Sequence, residues 1–313
     1  MMSKPMDIVV SEVGPRDGLQ ILRRTMPTEA KLRWITALAK AGLSEIEVGS
    51  CVHPGLLPHM ADAEAVIAGA RSIPGLAVLA LVPNLRGAER AQRAGAHRVT
   101  VPVSASRAHS RSNINMTPEE AVEQVAQICR FRDGLGANER FAIEVGLSTA
   151  FGCTLEGSVD EGWVITLAEM CARAGADSVG LSDSVGYANP AQVRRMFRAL
   201  HRSLGDKAGG AHFHNTRGLG LANVVAAIEA GVTTFDASQG GMGGCPYAPG
   251  ATGNIVTEDL VFMLEAMGLR TGIDIDALMA ARIELLGGLP DELLYGYVPA
   301  AGLPKGFSNG AHT

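Results

Sequence analysis

The stretch "TALAKAGLSEIEVGS", residues 36–50, ends a helical pattern on Ala-Gly and reopens within a few residues as a strand-like run. The same arrangement returns as "AERAQRAGAHRVTVPV" (88–103), "AEMCARAGADSVGLSD" (168–183) and "AAIEAGVTTFDAS" (226–238). In each copy Gly42, Gly95, Gly175 or Gly231 stands where a helix closes on a left-handed residue, a conformation glycine adopts without steric cost. Each therefore marks a return from helix to strand. Further strands are expected near 8–13, 76–82, 141–147 and 211–214. Helical patterns lie between them at 28–41, with Thr28 as N-cap, and at 62–72, 117–133, 159–174, 190–204 and 222–230. Strict alternation of strand and helix implies parallel strands joined by right-handed crossovers. Eight such strands between residues 8 and 238 fit a (β/α)8 TIM barrel, which takes roughly 250 residues. An open doubly wound sheet is the competing arrangement, but no G-x-G-x-x-G follows the first strand. From about Glu258 onward the pattern reads as additional C-terminal helices beside the barrel. The expected organisation is one domain over 1–313: barrel about 7–270, helical extension about 271–300, and a loose Gly/Pro-rich tail about 301–313.

Composition narrows the class. With 27 Lys+Arg against 32 Asp+Glu the net charge is -5, which argues against a nucleic-acid binder, since such proteins need a basic face. No apolar run approaches the roughly 18 residues of a membrane span, so no membrane partner is expected. The N-terminal "MMSKPMDIVVSEVG" runs from one lysine into a strand pattern, without the form of a signal or transit peptide. Five cysteines (Cys51, Cys129, Cys153, Cys171, Cys245) are odd in number and lack C-x-x-C spacing, which points to free thiols in a reducing cytoplasm.

In a barrel of this kind chemistry collects at the carboxyl ends of the strands. The first strand runs into "PRDGLQ", bringing Arg16, Asp17 and Gln20 to that rim; the second carries Glu47; the sixth ends in Asp183. The seventh ends in "HFH", and the eighth holds Asp236 and feeds the loop "QGGMGGCPYAPGATGN" with Cys245 and Asn254. Residues two apart on a strand share a side, so His212 and His214 can aim at one point in the barrel mouth. A divalent ion there could complete its shell with Asp17 and an amide oxygen such as that of Asn254. Such a mixed set with open positions favours Mg²⁺ or Mn²⁺ over a closed tetrahedral zinc site. Each residue also has a plainer reading: hydrogen-bonded mouth histidines, a turn-forming Asp17, a salt-bridged Glu47 and a small buried thiol at Cys245. Their coincidence on one face favours the chemical reading.

With these residues in hand the chain resembles the 3-hydroxy-3-methylglutaryl-CoA lyase family, metal-dependent barrel lyases related to the isopropylmalate and homocitrate synthases. The matching segments are "VGPRDGLQ" (13–20), "IEVGSCV" (46–52), "NIN" (113–115), "STAFGCTLEG" (148–157), "LSDSVGYANP" (181–190), "HFHNTRGLGLANV" (212–224) and "GGMGGCPYAPGATGNIVTEDL" (240–260). The last segment discriminates, because the related synthases carry a different loop. The resemblance implies that Asp17, His212, His214 and Asn254 bind the cation. Arg16 would polarise the thioester carbonyl, Cys245 would take part in proton transfer, and Glu47 and Asp183 would complete the acid/base and orienting shell. It also implies an acyl-CoA substrate and a homodimer or higher homo-oligomer. For CoA, the expected contacts are Gln20, Arg24, Arg111 and Asn113, with Arg23 and Arg107 as further basic residues in loops after the first and fourth strands. Three segments depart from the family pattern: "ILRR" after Gln20, "GSCVHPGLLPHM" at 49–60, and "HNTRG" where "HDTYG" is common. They leave the acyl group open, with another 3-hydroxy-3-alkyl or a citramalyl-type acyl-CoA as alternative. An acetyl-CoA condensing synthase and a non-enzymatic acyl-CoA-binding barrel are the remaining readings.

Overall fold

The computed structural model describes residues 6–22, 24–243 and 253–307. Its strands are β1 (Val9–Glu12), β2 (Glu45–Ser50), β3 (Ala77–Leu81), β4 (Arg98–Ser104), β5 (Ala142–Ser148), β6 (Ser178–Asp183), β7 (Ala208–Phe213) and β8 (Thr234–Ala237). Between them run α1 (Thr28–Lys40), α2 (Ala63–Arg71), α3 (Leu85–Ala94), α4 (Arg107–Ile114), α5 (Pro118–Asp133), α6 (Glu161–Arg173), α7 (Pro190–Leu204) and α8 (Gly220–Ile228). After β8 come α9 (Thr257–Ala266), α10 (Ile275–Gly288) and α11 (Tyr297–Ala301). The strands pair in chain order and β1 pairs with β8, so the sheet is a closed parallel barrel. The four repeat glycines have φ of +104°, +94°, +110° and +99°, the left-handed turns their position in the pattern demands.

The apolar core is the layer between strands and helices. Ile46, Val78, Val99, Val101, Ile143, Val145, Val179, Leu181 and Phe235 point outward from the strands and are at most 1% exposed. Alternation sends their neighbours into the lumen. There Arg98 of β4 meets Glu45 of β2 at 2.9 Å and Glu144 of β5 at 3.5 Å. Because β3 separates β2 from β4 in the sheet, the contact to Glu45 runs through the barrel interior. Ser, Glu, Arg, Thr, His and Asp line much of the lumen, beside Leu79 and Leu81 of β3, where branched apolar layers are common in this fold.

Closure depends on a few buried polar residues. Glu12 at the end of β1 accepts hydrogen bonds from the backbone N–H of Gly14 (2.8 Å) and Gln239 (2.9 Å) and from the Thr257 hydroxyl (2.6 Å). The Gln239 side chain accepts from Trp34 of α1 (2.7 Å) and donates to the Leu278 carbonyl of α10 (2.6 Å). Together they tie the first strand, the last strand and the C-terminal helices at one seam.

Several expectations need correction. Thr28 is the first helical residue of α1, not its cap; Pro27 holds the cap position and the Thr28 hydroxyl donates to Asp62 at 2.8 Å. Arg107 and Arg111 lie on α4, together with Asn113, rather than in a loop; the N-cap Ser106 of that helix accepts the His109 N–H at 3.1 Å. The contacts of the chain's last described stretch are these. The Asp259 carboxylate accepts the backbone N–H groups of Tyr297 (2.9 Å) and Val298 (2.7 Å), and the Phe307 ring lies 5.1 Å from that of Phe262.

Candidate metal centre and active site

Strand β1 is followed by Val13, whose carbonyl accepts the N–H groups of Arg16 (3.1 Å), Asp17 (2.7 Å) and Gly18 (3.5 Å) in one wide helical turn. That turn brings consecutive charged side chains over the barrel mouth. Arg16 Nε donates to Glu47 Oε2 and its Nη1 to Asp17 Oδ1, both at 2.5 Å, and the guanidinium is 8% exposed. Burial works against its charge, but Glu47 and then Asp17 outweigh that, so its pKa rises and it stays cationic. Burial pushes the Glu47 carboxyl up against the pull of Arg16, and Glu47 Oε1 is buried without a partner among the described residues.

Across the mouth, His212 sits at the end of β7 and His214 just beyond it, their ring centroids 5.1 Å apart. One ligand atom from each of Asp17, His212 and His214 can be chosen so that all lie within 4.8 Å of one another. The fourth expected ligand arrives through backbone pairing, because His214 and Asn254 form a β-bridge. Asn254 Nδ2 donates to Asp17 Oδ2 (2.7 Å) and to the Met242 carbonyl (2.9 Å), leaving its Oδ1 buried without a partner among the described residues. Such close packing needs glycine: a Cβ on Gly253 would lie 1.6 Å from the Gly243 carbonyl oxygen. These residues fit a divalent cation. The donors are two imidazoles, a carboxylate and an amide oxygen, and His214 Nδ1 and Asn254 Oδ1 are buried polar atoms without a described partner.

The electrostatics suit a cation. Burial alone would push the Asp17 carboxyl up, but Arg16, His212, His214 and the Asn254 amide bring it to about 2. His214 is pushed down to about 4 by burial and by the charge of His212, so it is neutral at physiological pH. His212 Nδ1 lies 3.0 Å from Asp236 Oδ2; burial opposes the His212 charge, but the Asp236 hydrogen bond and charge raise its pKa overall. An Nδ1–H donated to that carboxylate leaves Nε2 to ligate. Asp236 was seen on the rim from its place in "TTFDAS", but its bond to His212 is legible only once β7 and β8 are in register.

Other expected residues fall elsewhere. Gln20 Nε2 donates to Asp17 Oδ1 at 2.8 Å, so it braces that carboxylate. Both oxygens of Asp183 accept loop N–H groups, from Tyr187 (2.9 Å) and Ala188 (3.0 Å), which gives it an orienting place at the end of β6. Arg24 is exposed and paired with Asp291 at 2.9 Å. Arg111 is exposed and reaches the Asn115 carbonyl (3.2 Å) and Glu120 (3.4 Å), and Asn113 is exposed on the same helix. Arg107 is engaged by Glu119 at 2.5 Å and lies over the Trp163 ring. Arg23, like Cys245, lies outside the described residues.

A family model described as HMGL-like matches residues 7–283. The chain belongs to this family. The hydroxymethylglutaryl-CoA lyase of Bacillus subtilis is 42% identical over 280 residues, 90% of this chain and 92% of its own. A 3-hydroxy-3-isohexenylglutaryl-CoA/hydroxymethylglutaryl-CoA lyase of Pseudomonas aeruginosa is 38% identical over 282 residues, with 90% and 92% covered. Among solved structures, an HMG-CoA lyase from Acinetobacter baumannii in complex with coenzyme A and 3-methylmalate matches with a TM-score of 0.89 at 39% identity, covering 96% of this chain and 97% of that one. The HMGL-like family is one of divalent-metal-dependent lyases, and the Asp17, His212 and His214 cluster lies at the carboxyl ends of the strands as such chemistry requires.

Proposed function

We propose that this protein is a carbon–carbon lyase that cleaves 3-hydroxy-3-methylglutaryl-CoA, or a close relative, to acetyl-CoA and a keto acid, acetoacetate for the methyl compound. The observation that carries the reading is the cluster of Asp17, His212 and His214 beside Asn254 and Arg16, in a chain of this family. A cation bound there, Mg²⁺ or Mn²⁺, supplies Lewis acidity that lowers the pKa of the substrate's C3 hydroxyl.

The protein's own groups then divide the work. The C3 hydroxyl gives its proton to Glu47, whose Oε1 has no other partner among the described residues; as the C2–C3 bond breaks, its electron pair moves into the thioester, and the Arg16 guanidinium meets the charge that develops on the thioester oxygen. Glu47 fixes the plane of that guanidinium from one side and Asp17 from the other. Asp236 holds the His212 ring and Gln20 steadies the Asp17 carboxylate, so neither ligand needs to reorganise during the reaction. Cys245, on the loop after β8, protonates the enolate carbon to give acetyl-CoA, and Asp183 holds the loop between β6 and α7 at the rim. Arg24, Arg111 and Asn113 are exposed at the same end and are assigned to the CoA phosphates. The chain works as one catalytic unit, in the cytoplasm, as a homodimer or higher homo-oligomer.

Incubating the protein with Mg²⁺ or Mn²⁺ and 3-hydroxy-3-methylglutaryl-CoA, with mass-spectrometric identification of products, tests the reading. Release of acetyl-CoA and acetoacetate is the expected result. A metal-loaded protein that turns over none of a panel of 3-hydroxyacyl-CoA thioesters overturns it.

A further inference from the structure

On the wall of the mouth facing the metal cluster stands a second polar constellation, which the mechanism above does not use. Ser104 Oγ, at the end of β4, lies 2.7 Å from His109 Nδ1 on α4 and 2.9 Å from Ser148 Oγ at the end of β5. Ser104 and Ser148 are register partners. They share strand parity with Arg98 and Glu144, whose contacts run through the lumen, so both hydroxyls face the barrel interior. In the closed ring of eight strands, β4 and β5 lie diametrically opposite β8 and β1. The constellation therefore looks across the mouth at Asp17, Asp236 and Arg16. Position 146, just below on β5, is glycine; a Cβ there would sit in ordinary contact with Ser182 Oγ at 3.8 Å and the Thr100 methyl at 3.9 Å, so the lumen beneath the two serines is lined by small side chains.

The chemistry of the three groups is that of a recognition site. Burial lowers the pKa of His109, so the ring is neutral, with one nitrogen a donor and the other an acceptor. If the Ser104 hydroxyl donates to Nδ1, the proton sits on Nε2 and that N–H remains to be given to a ligand. On the proposed reaction, the C3 hydroxyl and the carboxylate of the substrate lie on the metal side, and the thioester oxygen lies at Arg16. The remaining substituent on C3 then points to the opposite wall. A methyl group there would desolvate two hydroxyls and an imidazole while offering them no partner, whereas a hydroxyl can both donate and accept.

We propose that Ser104, Ser148 and His109 form a hydrogen-bonding subsite for the C3 substituent, and that they direct the enzyme toward acyl-CoA thioesters in which that substituent carries a hydroxyl. The inference rests on the lyase reading. The experiment compares kcat/KM for 3-hydroxy-3-methylglutaryl-CoA and its 3-hydroxymethyl analogue in the wild type, Ser104→Ala and His109→Phe. The wild type favours the hydroxymethyl compound, and each variant lowers the ratio of the two kcat/KM values by about 10- to 100-fold, the range for one lost hydrogen bond. Because both thioesters are measured on one preparation, a loss of folded protein cancels in the ratio. A ratio that stays within about twofold in both variants overturns the subsite and leaves the lyase reading standing. So does a wild type that favours the methyl compound. A wild type that cleaves neither thioester takes down both.

Discussion

Replacing Asp236 with Asn tests the electrostatic support of the metal site without removing a ligand. In the wild type His212 Nδ1 lies 3.0 Å from Asp236 Oδ2, a bond that fixes the ring and directs Nε2 toward Asp17 and His214. Asn keeps the shape but loses the charge, and its amide can present a donor where the ring needs an acceptor. A hydrogen bond to a charged group is worth about 1.5–3 kcal/mol. The Asp236 side chain is 32% exposed, against 13% for His212, so solvent screening favours the lower end of that range. About 1.5 kcal/mol is roughly a tenfold weakening of cation binding, at the lower bound of the effect of removing the partner of a ligating histidine. Calorimetric titration of metal-stripped protein with Mn²⁺ reads this directly, with thermal melting of the metal-free forms as a control for folding. If the two dissociation constants agree within about twofold while both proteins are folded, Asp236 does not support a ligating His212 and the proposed metal set is wrong.

Three further outcomes are expected. Gln239→Leu strips the buried Trp34 N–H of its partner and takes a second donor from the Leu278 carbonyl, which keeps its bond within α10, and should cost about 1–3 kcal/mol in urea denaturation. Glu12 is pushed up to about 8 by burial, against the pull of Thr257, Gln239 and Gly14. A carboxyl raised in this way makes the folded state hold a proton that the unfolded state releases above its ordinary value. Stability therefore falls as pH rises from about 4.5 toward 8, by up to about 1.4 kcal/mol per pH unit for one proton. Glu12→Gln should remove that contribution, and unfolding curves at pH 5.5 and 7.5 with parallel wild-type and variant slopes would refute it. A chelator should abolish acetyl-CoA release and Mn²⁺ restore it; Asn254→Ala, which also takes a hydrogen bond from Asp17, should need more Mn²⁺ for half-maximal rate.

The barrel was legible because its code is local and repeated. Four Ala-Gly helix endings, each followed by a strand, specify the alternation, and the left-handed φ at Gly42, Gly95, Gly175 and Gly231 is the physical content of that pattern. His212 and His214 were legible for a similar reason, since period two in a strand places both on one side. Helix α4 was not: "RAHSRSNI" has a cap in Ser106 but only Ser110 fully buried, so it lacks a strong apolar stripe. Arg107 and Arg111 therefore stand on a helix where the pattern suggested a loop.

By itself the sequence determined the strand order, the end of the barrel where chemistry gathers, and the residue types that suit a divalent cation. Only the tertiary structure decided which of those residues touch. Asn254 and Asp17 are 237 positions apart and meet because the last strand closes on the first. Asp236 reaches His212 through the register of β7 on β8, and Gln20 reaches the Asp17 carboxylate across one turn. The polar lumen and the Ser104, Ser148 and His109 wall likewise follow from ring closure. Helix and strand periodicity are set by neighbours a few residues away, whereas contacts across the barrel depend on register and closure of the whole ring.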